Sequence, residues 1–455
     1  MTPEELVIDM IEKARIAQRI LEKFSQEEVD AIVRACAKAV DANYVELANL
    51  DNKETKMGNL SDKLTKTGGR PKAFWYHMKN KKSRGIIRRI DDMGLVEIAK
   101  PMGVIGCISP VTSPVITPLH NTMCALKCGN SIVICPHPSA KKTGMRTVEL
   151  MNEAINKLGA PENLIQIVSE PTMDISKLIM ESCDVCISTG GPSLIKVAYS
   201  SGKPAFGVGA GNCQCLIDRG MDIDDVAAKI ISSKMVENGI PCGGEQFAHC
   251  PEEEFTEIVE AFKRHGAYYF DTPDQVALIR DTIFPDGELN KSLVGKLPYL
   301  VAREAGIEIP EDTKLLAVKV QKYGGDEHLA KEKLFPVIAL RSYDTWEEAV
   351  AVAEANLAVM GKGHSTMIHS NSTENIEYAA VNISVCRFGV NQSSSKCVGG
   401  TLTNGLAPTG TLGCGSWGNN SISENLDYHH LMNISRIVYE LSAYVAPIDA
   451  EIWAE

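Results

Sequence analysis

Gly103-Val104-Ile105-Gly106-Cys107-Ile108-Ser109-Pro110-Val111-Thr112 decides the fold of this chain. An apolar run passes straight into a serine and a proline, so a buried strand ends abruptly in a polar turn. The pattern returns at Ser131–Cys135 before Pro136-His137-Pro138, and at Val185–Ser188 before Thr189-Gly190-Gly191-Pro192. A further apolar run, Leu164–Val168, lies between them, and helical stretches separate all four. Strands alternating with helices predict parallel βαβ units and a doubly wound α/β sheet. Ligands bind such sheets at the carboxyl ends of the strands, which here carry Ser109, Pro110, His137, Pro138, Thr189, Gly190 and Gly191.

Upstream of this unit the chain is helical. Thr2-Pro3-Glu4-Glu5 and Ser25 to Glu28 read as capping boxes, each followed by an apolar stripe at helical spacing. Between Ile86 and Lys100 two short strands flank Asp91-Asp92-Met93-Gly94, a hairpin with a glycine turn. Downstream of Asn212 a second alternation begins, with helices expected at Pro251–His265 and Thr345–Ala358 and strands at Thr313–Val320 and Val385–Val390. No low-complexity linker separates the halves, so they are expected to share a crevice. The boundaries fall at 1–212, 213–398 and 399–455, the last segment being rich in glycine, threonine and asparagine and ending in a helix or strand up to Ala446.

Composition narrows the function. The 455 residues carry 46 basic and 58 acidic side chains, a net charge of −12 that argues against nucleic-acid or anionic-membrane partners. The one basic cluster, Lys79, Lys81, Lys82, Arg84, Arg88 and Arg89, reads as a solvated loop and hairpin face. No apolar run reaches the ~20 residues of a membrane helix, and the first residues do not form a leader, which predicts a cytoplasmic protein. Most of the fourteen cysteines sit in apolar segments, as reduced buried thiols do. Cys183 and Cys186 fall in an expected strand, facing opposite ways, which speaks against a redox pair. His120, Cys124 and Cys128 share a helix face but have no second ligand cluster, so they read as core, and no metal is expected.

One cysteine is set differently. Asn238-Gly239-Ile240-Pro241-Cys242-Gly243-Gly244-Glu245-Gln246 follows an amphipathic helix, Asp222 to Val236, and places a thiol between a proline and two glycines. That backbone turns tightly and lets a ligand approach, as a nucleophile needs. Phe206-Gly207-Val208-Gly209-Ala210-Gly211-Asn212 lies upstream and Lys331-Glu332-Lys333-Leu334-Phe335-Pro336 downstream. The glycine stretch has asparagine where a dinucleotide fingerprint has its last glycine and no strand-to-helix context, and no P-loop is present.

In that order and spacing the three stretches resemble the aldehyde dehydrogenase superfamily. Leu412-Gly413-Cys414-Gly415-Ser416-Trp417-Gly418-Asn419-Asn420-Ser421-Ile422-Ser423-Glu424-Asn425 resembles its coenzyme A-acylating branch, which includes acetaldehyde, propionaldehyde and succinate-semialdehyde dehydrogenases. The resemblance implies a Rossmann-like domain holding NAD without the usual fingerprint, an α/β domain with the catalytic thiol, and a hairpin arm that joins subunits into a dimer or tetramer. It implies that Cys242 attacks a small aldehyde, with its own N–H and a side chain from Thr112-Ser113 stabilising the oxyanion. The family usually has Thr-Asn-Pro where this chain has Thr112-Ser113-Pro114. Glu332 resembles the glutamate that holds the nicotinamide ribose, and His364 matches a Gly-x-Gly-His stretch near the site. Glu245 and Gln246 also match, with Gly244 in place of a usual serine.

Three further expectations follow from the resemblance. Hydrolytic members carry a glutamate base where this chain has Gly207, so coenzyme A rather than water is expected to take the acyl group. Hydrolysis to a free acid and an inactive structural subunit are the competing readings. Pro138 stands where hydrolytic relatives often have a ribose-binding glutamate; without that carboxylate NADP is admitted beside NAD, which remains the expected cofactor. Around Ser394, Ser395, Lys396 and Cys397, a stretch that approaches the aldehyde pocket in the family, Lys396 offers an ammonium for an anionic tail such as that of succinate semialdehyde or sulfoacetaldehyde, with acetaldehyde as the alternative substrate.

Overall fold

The computed structural model describes residues 2–441 and 445–454. Both expected capping boxes form: Thr2 and Glu5, and likewise Ser25 and Glu28, satisfy each other's backbone N–H groups at the starts of helices Pro3–Leu21 and Gln26–Ala42. Strands β1 (Gly85–Ile90) and β2 (Leu95–Pro101) make the hairpin, turning through Gly94 at φ 59°.

Strands β3 (Val104–Ile108), β4 (Ser131–Cys135), β5 (Ile165–Ile167), β6 (Val185–Thr189) and β7 (Ala205–Val208) form an all-parallel sheet in the order β5-β4-β3-β6-β7. Both faces are covered, which is why these strands read as continuous apolar runs. Ile105 and Cys107 point to the layer of helices Gln26–Ala42, Ile116–Lys127 and Lys141–Asn156. Val104 and Ile108 point to helices Pro3–Leu21, Met173–Ser182 and Pro192–Ser200. Gly106 faces the latter layer, where Cys183 comes so close that a Cβ would lie 2.8 Å from its Sγ.

Strands β8 (Cys213–Ile217), β9 (Glu245–Pro251), β10 (Ala267–Phe270), β11 (Leu315–Lys319), β12 (Val337–Tyr343), β13 (Thr366–His369) and β14 (Phe388–Val390) form a second parallel sheet, ordered β10-β11-β12-β9-β8-β13-β14. Finally β15 (Met432–Val438) returns to β2 and makes the hairpin a three-stranded antiparallel sheet. The expected last element is therefore a strand followed by the short helix Asp449–Ile452, and its stretch 442–444 lies outside the described residues.

Several local expectations need correction. Pro251 ends β9, and the helix after it begins only at Phe255, because Glu252–Glu254 form a single tight turn. Cys183 caps the helix Met173–Ser182 rather than lying in a strand with Cys186. Arg84 is not part of a solvated face, since its Nη2 donates to the carbonyls of Leu21, Glu22 and Phe24. His120, Cys124 and Cys128 are fully packed in the core, with 3.5 Å between Cys124 Sγ and His120 Nε2. All fourteen cysteines are free thiols.

Candidate active site

The thiol lies where two sheet edges meet. The carboxyl end of β7 passes through only four residues, 209–212, to the amino end of β8. The carboxyl edge of the first sheet thus faces the amino edge of the second. Cys242, Glu332 and His364 precede β9, β12 and β13, so all three project from that amino edge.

Their loops touch through glycines. A Cβ on Gly211 would lie 2.0 Å from the Cys242 carbonyl oxygen, and one on Gly239 would lie 2.4 Å from the Phe335 carbonyl carbon. Gly211 N–H donates to Glu332 Oε1 at 3.0 Å. The three stretches around Gly211, Cys242 and Glu332 therefore converge, as their joint reading requires.

The turn before Cys242 is strained. Glu237 and Asn238 both adopt left-handed backbone, φ 46° and 54°, without being glycine, at about 1–3 kcal/mol each. A buried polar network holds them there. Glu237 N–H donates to Asp62 at 2.6 Å, and the Asn238 amide donates to the carbonyls of Gly58 (3.2 Å) and Gly295 (2.9 Å). Glu237 pairs with Lys66 at 2.7 Å and Lys63 at 3.5 Å, and Lys63 also pairs with Asp51 at 2.8 Å. Lys66 Nζ reaches the Thr112 carbonyl at 3.5 Å, tying the Thr112-Ser113 turn to the loop of the thiol.

Beside the half-buried Cys242, His364 Nε2 stands 3.3 Å from Sγ, and His364 Nδ1 stands 2.8 Å from Ser365 Oγ. Burial and the Arg387 charge push the imidazole down to about 3, so it is neutral. Burial, the Glu332 carboxylate and Cys414 push the Cys242 thiol up to about 12, so it rests protonated. Burial also raises the Glu332 carboxyl, against the opposing pull of the Gly211 N–H, Lys234 and Lys333. Arg387 fixes the far side. It donates to the carbonyls of His364 (2.7 Å) and Gly413, and to Asn425 Oδ1 at 2.6 Å. The glycine-rich 412–425 motif is thereby closed over the His364 loop.

Comparison with known proteins agrees with this geometry. The aldehyde dehydrogenase family model matches residues 2–268. The succinate-semialdehyde dehydrogenase (acetylating) of Clostridium kluyveri is 45% identical over 453 residues, spanning 100% of both chains. The chain belongs to the aldehyde dehydrogenase family. The sulfoacetaldehyde dehydrogenase (acylating) of Bilophila wadsworthia is 30% identical, covering 99% of this chain and 98% of that one. A crystal structure of an acetylating aldehyde dehydrogenase from Geobacillus thermoglucosidasius superposes with a TM-score of 0.93 at 36% identity, covering 98% of each chain.

Within this aldehyde dehydrogenase fold, Thr112 and Ser113 are half-buried in the turn before helix Ile116–Lys127, and Ser109 is buried at the end of β3. Pro110, Thr189 and Gly190 are partly exposed, and His137, Pro138 and Gly191 are exposed, along the same carboxyl edge. Gly207 is closely packed. A Cβ there would meet Tyr199 Cε2 at 2.7 Å and Ile195 Cγ2 at 2.9 Å, so the position faces helix Pro192–Ser200. Phe206 packs on the opposite layer, and strand alternation puts Val208 on that face with it. Strand β7, Ala205–Val208, carries no acidic side chain on either face.

Ser394 is turned inward. Its N–H and Oγ donate to the buried Glu245 at 3.0 and 2.9 Å, and its Oγ lies 2.7 Å from Ser233 Oγ. Ser395 N–H donates to Ser233 Oγ at 3.0 Å, Cys397 is buried, and the Lys396 side chain is exposed. Sequence reasoning missed Arg387, Lys234 and the Lys63–Lys66–Glu237 network. Lys234 is fully buried and donates to Gln246 Oε1 and the Lys333 carbonyl, both at 2.9 Å, tying the Glu332 segment to β9. An arginine in the apolar run Val385-Cys386-Arg387-Phe388 was the available signal for the first.

Two outcomes are expected. Lys63→Met leaves Asp51 and Glu237 buried without their shared partner and should cost about 3–5 kcal/mol in denaturant unfolding. Because the thiol pKa is raised, iodoacetamide labelling of Cys242 should accelerate about tenfold per pH unit from 7 to 10. Peptide mapping separates Cys242 from Cys386, the other thiol that is not buried. A plateau by pH 8 would contradict the protonated resting state.

Proposed function

We propose that this protein reversibly converts a short aldehyde with an anionic tail, together with coenzyme A, into the acyl-CoA thioester, with Cys242 as nucleophile. The observation that carries this is the Cys242 thiol held 3.3 Å from a neutral His364, with no acidic side chain on strand β7, Ala205–Val208, whose following loop touches the thiol loop. The full-length similarity to a succinate-semialdehyde enzyme supports the substrate class.

The residues at the carboxyl edge of the first sheet fit a nicotinamide dinucleotide. Ser188 Oγ and Thr189 Oγ1 are buried with no hydrogen-bond partner among the described residues, and helix Pro192–Ser200 begins at Gly191 with no side-chain cap. Orphaned hydroxyls and an uncapped helix start suit a pyrophosphate. Ser109, Pro110, Thr189, Gly190, Gly191 and Glu332 would hold the group. Pro138 provides no carboxylate to repel a 2′-phosphate, so NADP is admitted beside NAD, the cofactor proposed.

Cys242 sulfur adds to the carbonyl carbon, and the π pair moves to oxygen. The thiol proton leaves through His364 Nε2. The Cys242 N–H and a Thr112-Ser113 hydroxyl stabilise the alkoxide. When bound, a nicotinamide would supply the two-electron acceptor for the hydride of the thiohemiacetal carbon. The alkoxide re-forms its carbonyl and leaves a thioester on Cys242. The coenzyme A thiolate then attacks the thioester carbon, and the Cys242–carbon bond breaks. Water attack has no base on β7, a contribution worth ~10²–10⁴-fold.

The three segments divide this work, with 1–212 for the cofactor, 213–398 for the thiol and 399–455 closing the site. Ile437, Val438 and Tyr439, 39, 72 and 58% exposed at the end of β15, suit a homodimer or homotetramer built on the β1-β2-β15 arm. Among the described residues no helix is long and apolar enough to cross a membrane, and the free thiols suit a reducing cytoplasm.

The test is a panel of succinate semialdehyde, sulfoacetaldehyde and acetaldehyde with each cofactor, with and without coenzyme A, read by reduced-nicotinamide absorbance. Turnover should require coenzyme A, favour an anionic aldehyde and vanish in Cys242→Ala. Steady release of free acid without coenzyme A would overturn the acylating assignment.

A further inference from the structure

Helix Leu60–Met78 carries Lys63, Lys66 and Arg70 at spacings of three and four, which places them on one face. That face is turned to the thiol loop, since Lys63 and Lys66 both reach Glu237 and Lys66 also reaches the Thr112 carbonyl. Two of the three cations thus have carboxylate partners. Arg70 has none among the described residues. Its Nη1 donates to the carbonyls of Gly399 at 3.1 Å and Gly400 at 2.8 Å, and its Nε and Nη2 donate to no described residue. Neither atom is among the sealed-off polar atoms of the described residues, so both face space that solvent reaches. Desolvation lowers the guanidinium pKa, and no acid offsets it.

The position of this charge relative to the sulfur follows from contacts. A Cβ on Gly399 would lie 2.8 Å from Arg70 Nη2, and the preceding residue, Val398, would lie 3.2 Å from a Cβ on Gly243. Arg70, Gly399, Val398 and Gly243 therefore form one contact path ending beside Cys242. An arginine kept partly buried without a counter-charge is unfavourable by itself, and a ligand carboxylate or sulfonate supplies what it lacks, since the guanidinium edge formed by Nε and Nη2 matches two oxygens of such a group. The exposed Lys396 is a flexible point charge without that fork.

We propose that Arg70 binds the anionic tail of the aldehyde substrate through Nε and Nη2, while Nη1 anchors it to Gly399 and Gly400. This deepens the substrate assignment made above and rests on it.

The experiment compares kcat/KM for succinate semialdehyde with that for butanal, which has the same four-carbon chain and no charge. It uses wild type, Arg70→Gln, Arg70→Lys and Lys396→Met. Glutamine keeps a donor for the Gly399 and Gly400 carbonyls and removes the charge. In Arg70→Gln the anionic-to-uncharged ratio should fall at least tenfold, mainly through KM, because a charge-assisted hydrogen bond is worth about ten- to a hundredfold. Arg70→Lys keeps the charge, loses the fork, and should give an intermediate ratio; it serves alone if the glutamine variant does not fold. A wild-type ratio in both Arg70 variants, an equal loss on both aldehydes, or a collapse of the ratio in Lys396→Met instead would overturn the role of Arg70. If the wild type itself shows no preference for the charged aldehyde, the substrate assignment fails first, and Arg70 with it.

Discussion

The Cys242 carbonyl occupies the space where a side chain on Gly211 would begin, 2.0 Å from the position of a Cβ. Only a glycine lets the loop leaving the first sheet press against the loop that starts the second. That contact brings the carboxyl edge of β3–β7, where a dinucleotide is proposed to bind, against the amino edge of β8–β14, where the thiol stands. The Gly211 N–H also holds Glu332, so the same close approach registers the residue expected at the nicotinamide ribose. The strained Glu237-Asn238 turn is the second half of this constraint. It swings Pro241-Cys242 into place and survives because buried lysines, Asp62 and the Asn238 amide satisfy its charges and backbone groups.

The electrostatics of the site favour a thiol that is inert until the reactants assemble. Sγ is protonated at rest, and its imidazole neighbour is kept neutral by burial and by Arg387. A low-pKa thiolate would be open to oxidation and stray electrophiles. Here reactivity must be induced by what binds between the two edges. The closed 412–425 motif contributes by holding Arg387, whose hydrogen bonds to the His364 and Gly413 carbonyls fix the imidazole from behind.

Much of this was legible in the sequence because it rests on local chemistry. Apolar runs ending in Ser109-Pro110 or Thr189-Gly190 gave the strands and the edge at which a ligand is expected, and the proline and glycines around Cys242 marked the candidate nucleophile. What escaped was long-range. Nothing local separates Lys63 and Lys66, which support a loop more than 170 residues away, from surface lysines on a polar helix. Gly207 also answers to a partner on another element, because a Cβ there would meet the Tyr199 ring at 2.7 Å. Ser394 read as a pocket hydroxyl, yet Glu245, itself buried, draws it inward. Arg70 gave no signal at all beside Gly68-Gly69 and Pro71, since the lack of an acidic partner among the described residues is visible only in three dimensions.

The central claim is that Cys242 carries the acyl group and that water does not remove it. Mixing the enzyme with oxidised nicotinamide and succinate semialdehyde, without coenzyme A, and reading the intact mass and the Cys242 peptide tests this most directly. The account predicts one succinyl group per chain on Cys242, stable until coenzyme A is added and then lost with formation of succinyl-CoA. An unmodified Cys242 with free succinate accumulating, or the acyl group on another thiol, would contradict it.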